Sequence, residues 1–306
     1  MKEMQRQRSN IKTNKAVRAL KRDFNAWLFL IPAIILLFVI VWWPMIMSTI
    51  WSFFEMNGFT PGKFVGLKNY QNVLSDTQFI KTLINTCEYV FWSILIGYIP
   101  PIFMAICLNE VIHCRGFFRF SMYFPSIIPS IATSMIFFLI FYPNAGGFLN
   151  MICMGLGLEP QQWLQNSNMT ILMIIISMTW NYFGQTAVYY LAALQGINQE
   201  LYEAAIVDGA GLCRRVWIIT LPQISGIMIL FFVKQIISVF QIMEQPLTMT
   251  GGGPNNASLT LALQGYRYAF EYGNVSSSLA LGVITFIMLL FLTIVYFVLE
   301  KKCNDN

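Results

Sequence analysis

Glu203-Ala204-Ala205-Ile206-Val207-Asp208-Gly209, running on to Ile219-Thr220-Leu221-Pro222, is a polar, small-residue stretch set between two long apolar runs. A chain built only to cross a bilayer has no use for it. Asn198 precedes Gln199 and Glu200, which suits a helix start with an acid in its first turn. The helix is expected to run through Tyr202 to Asp208. Ala204 and Ala205 have small side chains, so another surface can approach the backbone closely. Gly209 and Gly211 permit a turn that a β-carbon resists. A second helix is expected from about Leu212 to Thr220, and Pro222 then suits the start of a further one. The stretch reads as a helix–turn–helix on the cytoplasmic surface, shaped to fit another protein. The plainer alternative is an amphipathic re-entry loop lying on the lipid.

Working outward, the 306 residues are 57% hydrophobic and 11% charged, which excludes an ordinary soluble domain and points to a multi-span membrane protein. Charge is absent from Phe24 to Phe54, Tyr89 to Asn109, Phe120 to Leu158, Pro160 to Gln199 and Tyr272 to Leu299. A spanning helix needs about 20 mostly apolar residues. Six spans are expected, near 26–50, 84–108, 118–142, 169–194, 223–245 and 275–299, giving an all-α integral membrane fold. Lys2, Arg6, Arg8, Lys12, Lys15, Arg18, Lys21, Arg22, Arg115, Arg119, Arg214, Arg215, Lys301 and Lys302 fall on one side of that arrangement. Only Lys63, Lys68, Lys81 and Arg267 fall on the other. The positive-inside rule then puts both termini in the cytoplasm. The net charge of +5 reflects topology rather than nucleic-acid binding, since no basic residues alternate with aromatics on a soluble face.

The expected organisation is a basic cytoplasmic N-terminus at 1–25, a six-span domain at 26–300, a cytoplasmic loop at 195–222 within it, and a tail at 301–306. The first apolar run is too long for a signal peptide and carries Trp42, Trp43 and Trp51, which suit interface anchors. Pro32, Pro44, Pro100-Pro101, Pro125 and Pro129 interrupt the spans and predict kinks. The six cysteines show no Cys-x-x-Cys pair and read as free thiols, so no metal site is expected.

Glu203-Ala204-Ala205, Gly209, Ile219 and Leu221-Pro222 match in type and spacing the EAA loop of permease subunits from binding-protein-dependent ABC importers, which the chain resembles over roughly residues 80–300. Leu247-Thr248-Met249-Thr250-Gly251-Gly252-Gly253-Pro254 resembles the outer loop of carbohydrate-import permeases, and Tyr266, Tyr268, Ala269 and Phe270 fit the aromatic stretch that follows it. By itself, a Gly-Gly-Gly-Pro run signals no more than an exposed turn. The likeness is to the first permease of a maltose, glycerol-3-phosphate or multiple-sugar type importer, without the extra N-terminal spans of the enterobacterial maltose permease.

The resemblance implies a type I importer fold in which 195–222 is the coupling helix docked in a cytoplasmic ATPase. Glu203, Ala204, Ala205, Asp208, Gly209, Leu221 and Pro222 would serve that contact, moving as the ATPases close. The implied bacterial cell-membrane assembly adds a second permease, two ATPase subunits, an extracytoplasmic solute-binding protein, a sugar and surrounding lipid. No Walker A pattern is present, so ATP and its magnesium belong to the partner ATPase, and this chain is expected to bind no cofactor and catalyse nothing itself.

Sugar sites combine aromatic platforms with a few polar groups. The tentative path is Trp180, Asn181, Tyr182 and Gln185 in span four, and Lys234, Gln241 and Glu244 around span five, with ordinary helix packing as the alternative for each. Lys234 lies twelve residues past Pro222, about 18 Å along a helix, hence deep in the membrane. It is expected to pair with an acid, Glu88 or one from the second permease, or to bind an anionic or hydroxyl-rich solute. A permease for glycerol phosphate, phosphonate or polyamine is the alternative function, and a secondary transporter is a further one. An enzyme is disfavoured: the single histidine, His113, has no catalytic company.

Overall fold

The computed structural model describes residues 24–110 and 114–304. Residues 1–23 of the basic N-terminus, His113 and the last two residues of the tail lie outside that description. Among the described residues, five helices are long and apolar enough to cross a membrane: Trp27–Trp51, Thr77–Glu110, Thr170–Leu194, Leu212–Phe240 and Val275–Val298. A bent pair, Gly116–Ile127 and Ser130–Ile140, inclined at 93° to each other, makes a sixth if its two halves are one broken span, and is called span three below.

The third span is therefore not the single rod expected over 118–142. Pro125 and Pro129 flank the corner, and Ile128 and Pro129 are extended rather than helical. Proline lacks an N–H and biases the residue before it away from helix, so two of them four residues apart end one helix before the next begins.

The other prolines act more gently. Wide, π-type turns occupy Phe38–Trp42, Ser93–Tyr98 and Val216–Thr220. Each ends two residues before a proline: Pro44, Pro100 or Pro222. A proline leaves the carbonyl four residues earlier without its helical partner, and a locally wider turn relieves the crowding while the helix continues. This corrects two boundaries. Pro222 does not begin a new helix, because Leu212–Phe240 runs through it, and span five ends at Phe240 rather than near 245.

Span four is the hub. Its Ile171, Ile174 and Ile175 pack with Tyr89, Phe137, Val239 and Met249 toward one end of the molecule. Its Tyr190, Leu191 and Leu194 pack with Ile102, Ala105, Leu108 and Ile224 toward the other. A third cluster joins Phe79, Phe240, Leu261, Tyr268 and Leu281.

Two loops on the face opposite the Glu203 segment are folded. Between the first two spans, Phe54–Asn57 and Thr60–Phe64 form an antiparallel hairpin. Asn69 donates to the Ser52 and Phe54 carbonyls, both at 2.8 Å, which seats the hairpin on the helix Lys68–Ser75. Between spans three and four, Phe148–Gly155 is a short helix. Its buried Asn150 accepts from Trp163 Nε1 at 2.8 Å and donates to the Gln161 carbonyl at 2.9 Å.

Candidate functional site

The Glu203 segment forms an elbow. Its first arm is the helix Gln199–Val207, capped by the Asn198 side chain, which accepts from the Glu200 N–H at 3.1 Å. Gly209 follows at φ +76°, a left-handed conformation that glycine adopts without strain. The Ala210 N–H reaches back to the Ala205 carbonyl at 2.8 Å and closes the helix end. The second arm, expected as a separate helix, is the beginning of span five.

Glu203, Ala204, Asp208 and Gly209 are exposed, Ala205 is half-buried, and Val207 beside them is 87% exposed. Leu221 packs into the cluster around Ile224, while Pro222 is exposed. Glu203 also borders a polar cavity of about 470 Å³ that separates the first arm from the ends of spans two and four, with Arg119 and Arg215 in its wall.

A second cavity, of about 640 Å³, opens between spans two, four and five. Tyr182, Gln185, Lys234, Gln241 and Glu244 all line it. The other two residues of the expected path do not. Trp180 packs on Phe137, their ring centroids 5.5 Å apart. Asn181 is buried and donates to the Pro125 carbonyl at 2.9 Å, the Ile128 carbonyl at 3.1 Å and Thr133 Oγ1 at 3.0 Å. It bonds the Ile128 carbonyl at the break in the third span and shares the Pro125 carbonyl with the Ile128 N–H, so its role is to hold the corner. Its place near the middle of an apolar span suggests the path from sequence; the structure gives it the alternative role, interhelical hydrogen bonding.

Span two supplies residues that the sequence reading missed: Ser93, Gly97 and Tyr98 face the cavity from the wide turn before Pro100. The available signal was a Ser and a Gly four residues apart in an otherwise apolar run, just upstream of the proline pair. A β-carbon on Gly97 would stand 3.1 Å from the Gln235 amide nitrogen, so the small residue lets spans two and five meet at the cavity wall.

Lys234 lies over two aromatic faces, 5.7 Å from the Tyr189 centroid and 5.5 Å from that of Phe231. Those rings are stacked at 14°. Among the described residues no carboxylate forms an ion pair with Lys234. The expected pairing with Glu88 is absent, and Glu88 instead accepts a 3.4 Å hydrogen bond from Trp92 Nε1. Ring faces attract a cation with about 0.5–2 kcal/mol. That is well short of what a charge buried in lipid costs; Lys234 is exposed to the cavity, which leaves its ammonium open to water or to an anionic or hydroxyl-rich ligand. Glu244 stands just past span five, where its carboxylate accepts from the Ser130 hydroxyl at the start of the second half of span three.

The glycine loop is an internal joint and not an exposed turn. Gly251 at φ +57° ends the helix Glu244–Thr250, and Gly252 at φ +85° is buried. Arg267 donates to the Gly251 carbonyl and to Asn256 Oδ1, and Lys81 to the Asn255 carbonyl. Asn85 donates to the Asn256 and Leu259 carbonyls at 2.7 and 3.0 Å. The loop from Gly251 through Gly253 and Pro254 is thereby locked onto the start of span two. Nearby, burial and a hydrogen bond to Asp76 push the Tyr268 phenol up to about 12.

These elements define a multi-pass membrane protein with an exposed elbow on one face, an ordered loop on the other and a polar cavity between spans. The chain belongs to the binding-protein-dependent transport system inner membrane component family, whose pattern matches residues 97–305. It is 32% identical over 281 residues to the trehalose/maltose transport system permease protein MalF of Thermococcus litoralis, covering 91% of this chain and 94% of that one. It is 30% identical over 273 residues to the arabinooligosaccharides transport system permease protein AraP of Bacillus subtilis, covering 88% and 86%. A chain from a bacterial ABC transporter involved in the import of the acidic polysaccharide alginate superposes with a TM-score of 0.83 at 23% identity, covering 94% of this chain and 99% of that one, a likeness of fold.

Proposed function

We propose that this chain is the permease subunit of an ATP-driven importer that passes a sugar or oligosaccharide delivered by an extracytoplasmic binding protein. A second, similar permease completes the pore, and two ATPase subunits, which hold the nucleotide and magnesium, grip the elbow. Both termini lie in the cytoplasm. The observation that carries this reading is the continuous helix Leu212–Phe240: one end is an arm of the elbow, and the other bears Lys234 and Gln235 on the cavity wall. A force applied at the second arm therefore reaches the cavity along one helix. Stacked rings beside amides and hydroxyls suit a sugar, and the sugar permeases among the relatives support that choice. Lys234 without an ion-pair partner favours, as a second reading, a solute that carries an anionic group such as a phosphate.

The test is reconstitution in proteoliposomes, with candidate sugars first chosen by thermal stabilisation of the isolated binding protein. Uptake is expected only when the ATPase, ATP and the binding protein are all present. Solute movement by this chain without an ATPase would overturn the proposal and return the secondary transporter.

A further inference from the structure

We infer that Tyr202 and Thr220 form a strut that fixes the elbow to span five, making them positioning residues for transport. The inference rests on the function proposed above. The first arm of the elbow is thinly attached: Leu201, Ile206 and Val207 are exposed, and the arm joins the span through a turn bearing Gly209 and Gly211. Such a turn by itself is a hinge. The polar cavity of about 470 Å³ behind the arm leaves room for it to swing.

Across the turn, the Tyr202 hydroxyl and Thr220 Oγ1 lie 2.9 Å apart. Thr220 is only 4% exposed and sits beside Leu221, which packs in the cluster of Ile102, Leu194 and Ile224. The hydrogen bond closes a triangle of arm, turn and span, so a pull on the arm moves the span instead of bending the turn. The same helix carries Lys234 into the cavity fourteen residues later. With the strut broken, ATP-driven motion of the arm is partly absorbed by the hinge.

The experiment uses the intact transporter, purified with its ATPase, in a background where the native cysteines are serine. Spin labels at Leu201→Cys and Leu230→Cys report the distance between arm and span, with and without ATP plus vanadate as the probe. The parent protein is expected to show one distance in both states. Tyr202→Phe and Thr220→Val are each expected to add a second, nucleotide-dependent distance, its population raised about fivefold, as loss of one neutral hydrogen bond implies. The double variant is expected to match the singles, because the two groups act as one contact. An unchanged distance in both single variants, or fully additive effects, would overturn the strut. A preparation from which the ATPase is missing would instead overturn the function on which the strut rests.

Discussion

At the scale of single residues, span four shows how one helix serves two demands. Asn181 faces the corner of span three and Gln185 the cavity, although both are amides in the same apolar run. Gly184 belongs with Asn181. A β-carbon there would fall 1.7 Å from the Met122 carbonyl oxygen, a backbone atom that cannot rotate away. Gly184→Ala must therefore push the two spans apart, and over-packing of this kind costs about 1–3 kcal/mol. Its thermal midpoint in detergent is expected to fall, whereas Gly226→Ala, with nothing within 4 Å of its β-carbon, leaves the midpoint unchanged or slightly higher. Equal midpoints for the two variants would contradict the close approach. Lys234 was legible from sequence as an intramembrane cation. Its neighbours were not, because Tyr189 comes from another span and is brought over it only by packing.

At the scale of elements, the elbow was legible nearly throughout. Asn198, Ala204, Ala205 and Gly209 stand where local chemistry places them, since caps, small faces and left-handed turns depend on neighbours in the chain. The continuity of its second arm with span five was not, because a proline at Pro222 is compatible with a fresh helix start and with a widened turn inside a longer helix. Packing of Leu221 and Ile224 against Ile102 and Leu194 favours the second. Gly209→Pro confronts a native φ of +76° with a ring that demands about −65°, and it removes the N–H donated to the Ile206 carbonyl. The variant is expected to insert in the membrane and to hydrolyse ATP with its partners while uptake per ATP falls at least tenfold. Uptake at the parent rate would show that the elbow does not transmit force.

At the scale of the whole molecule, orientation is the property most open to direct measurement. Cys213 is exposed at the start of the elbow's second arm, and the half-buried Cys153 lies in the short helix between spans three and four, on the opposite face. An impermeant thiol reagent is expected to label Cys213 in inside-out vesicles only and Cys153 in right-side-out cells only. The reverse pattern would invert the topology and place the elbow out of reach of any ATPase. The sequence by itself determined the five long apolar helices, the elbow and the asymmetry of positive charge. Span length, cap chemistry and the distribution of Lys and Arg are written along the chain and are read by the bilayer one segment at a time. Only the tertiary structure decided the rest: the 93° corner that Asn181 serves, the burial of the glycine loop against span two, and which polar residues share the cavity. In lipid an apolar face gains little from choosing one apolar neighbour over another. The arrangement of the spans is therefore set by close approaches and by polar groups finding partners across helices, and both depend on residues far apart in sequence.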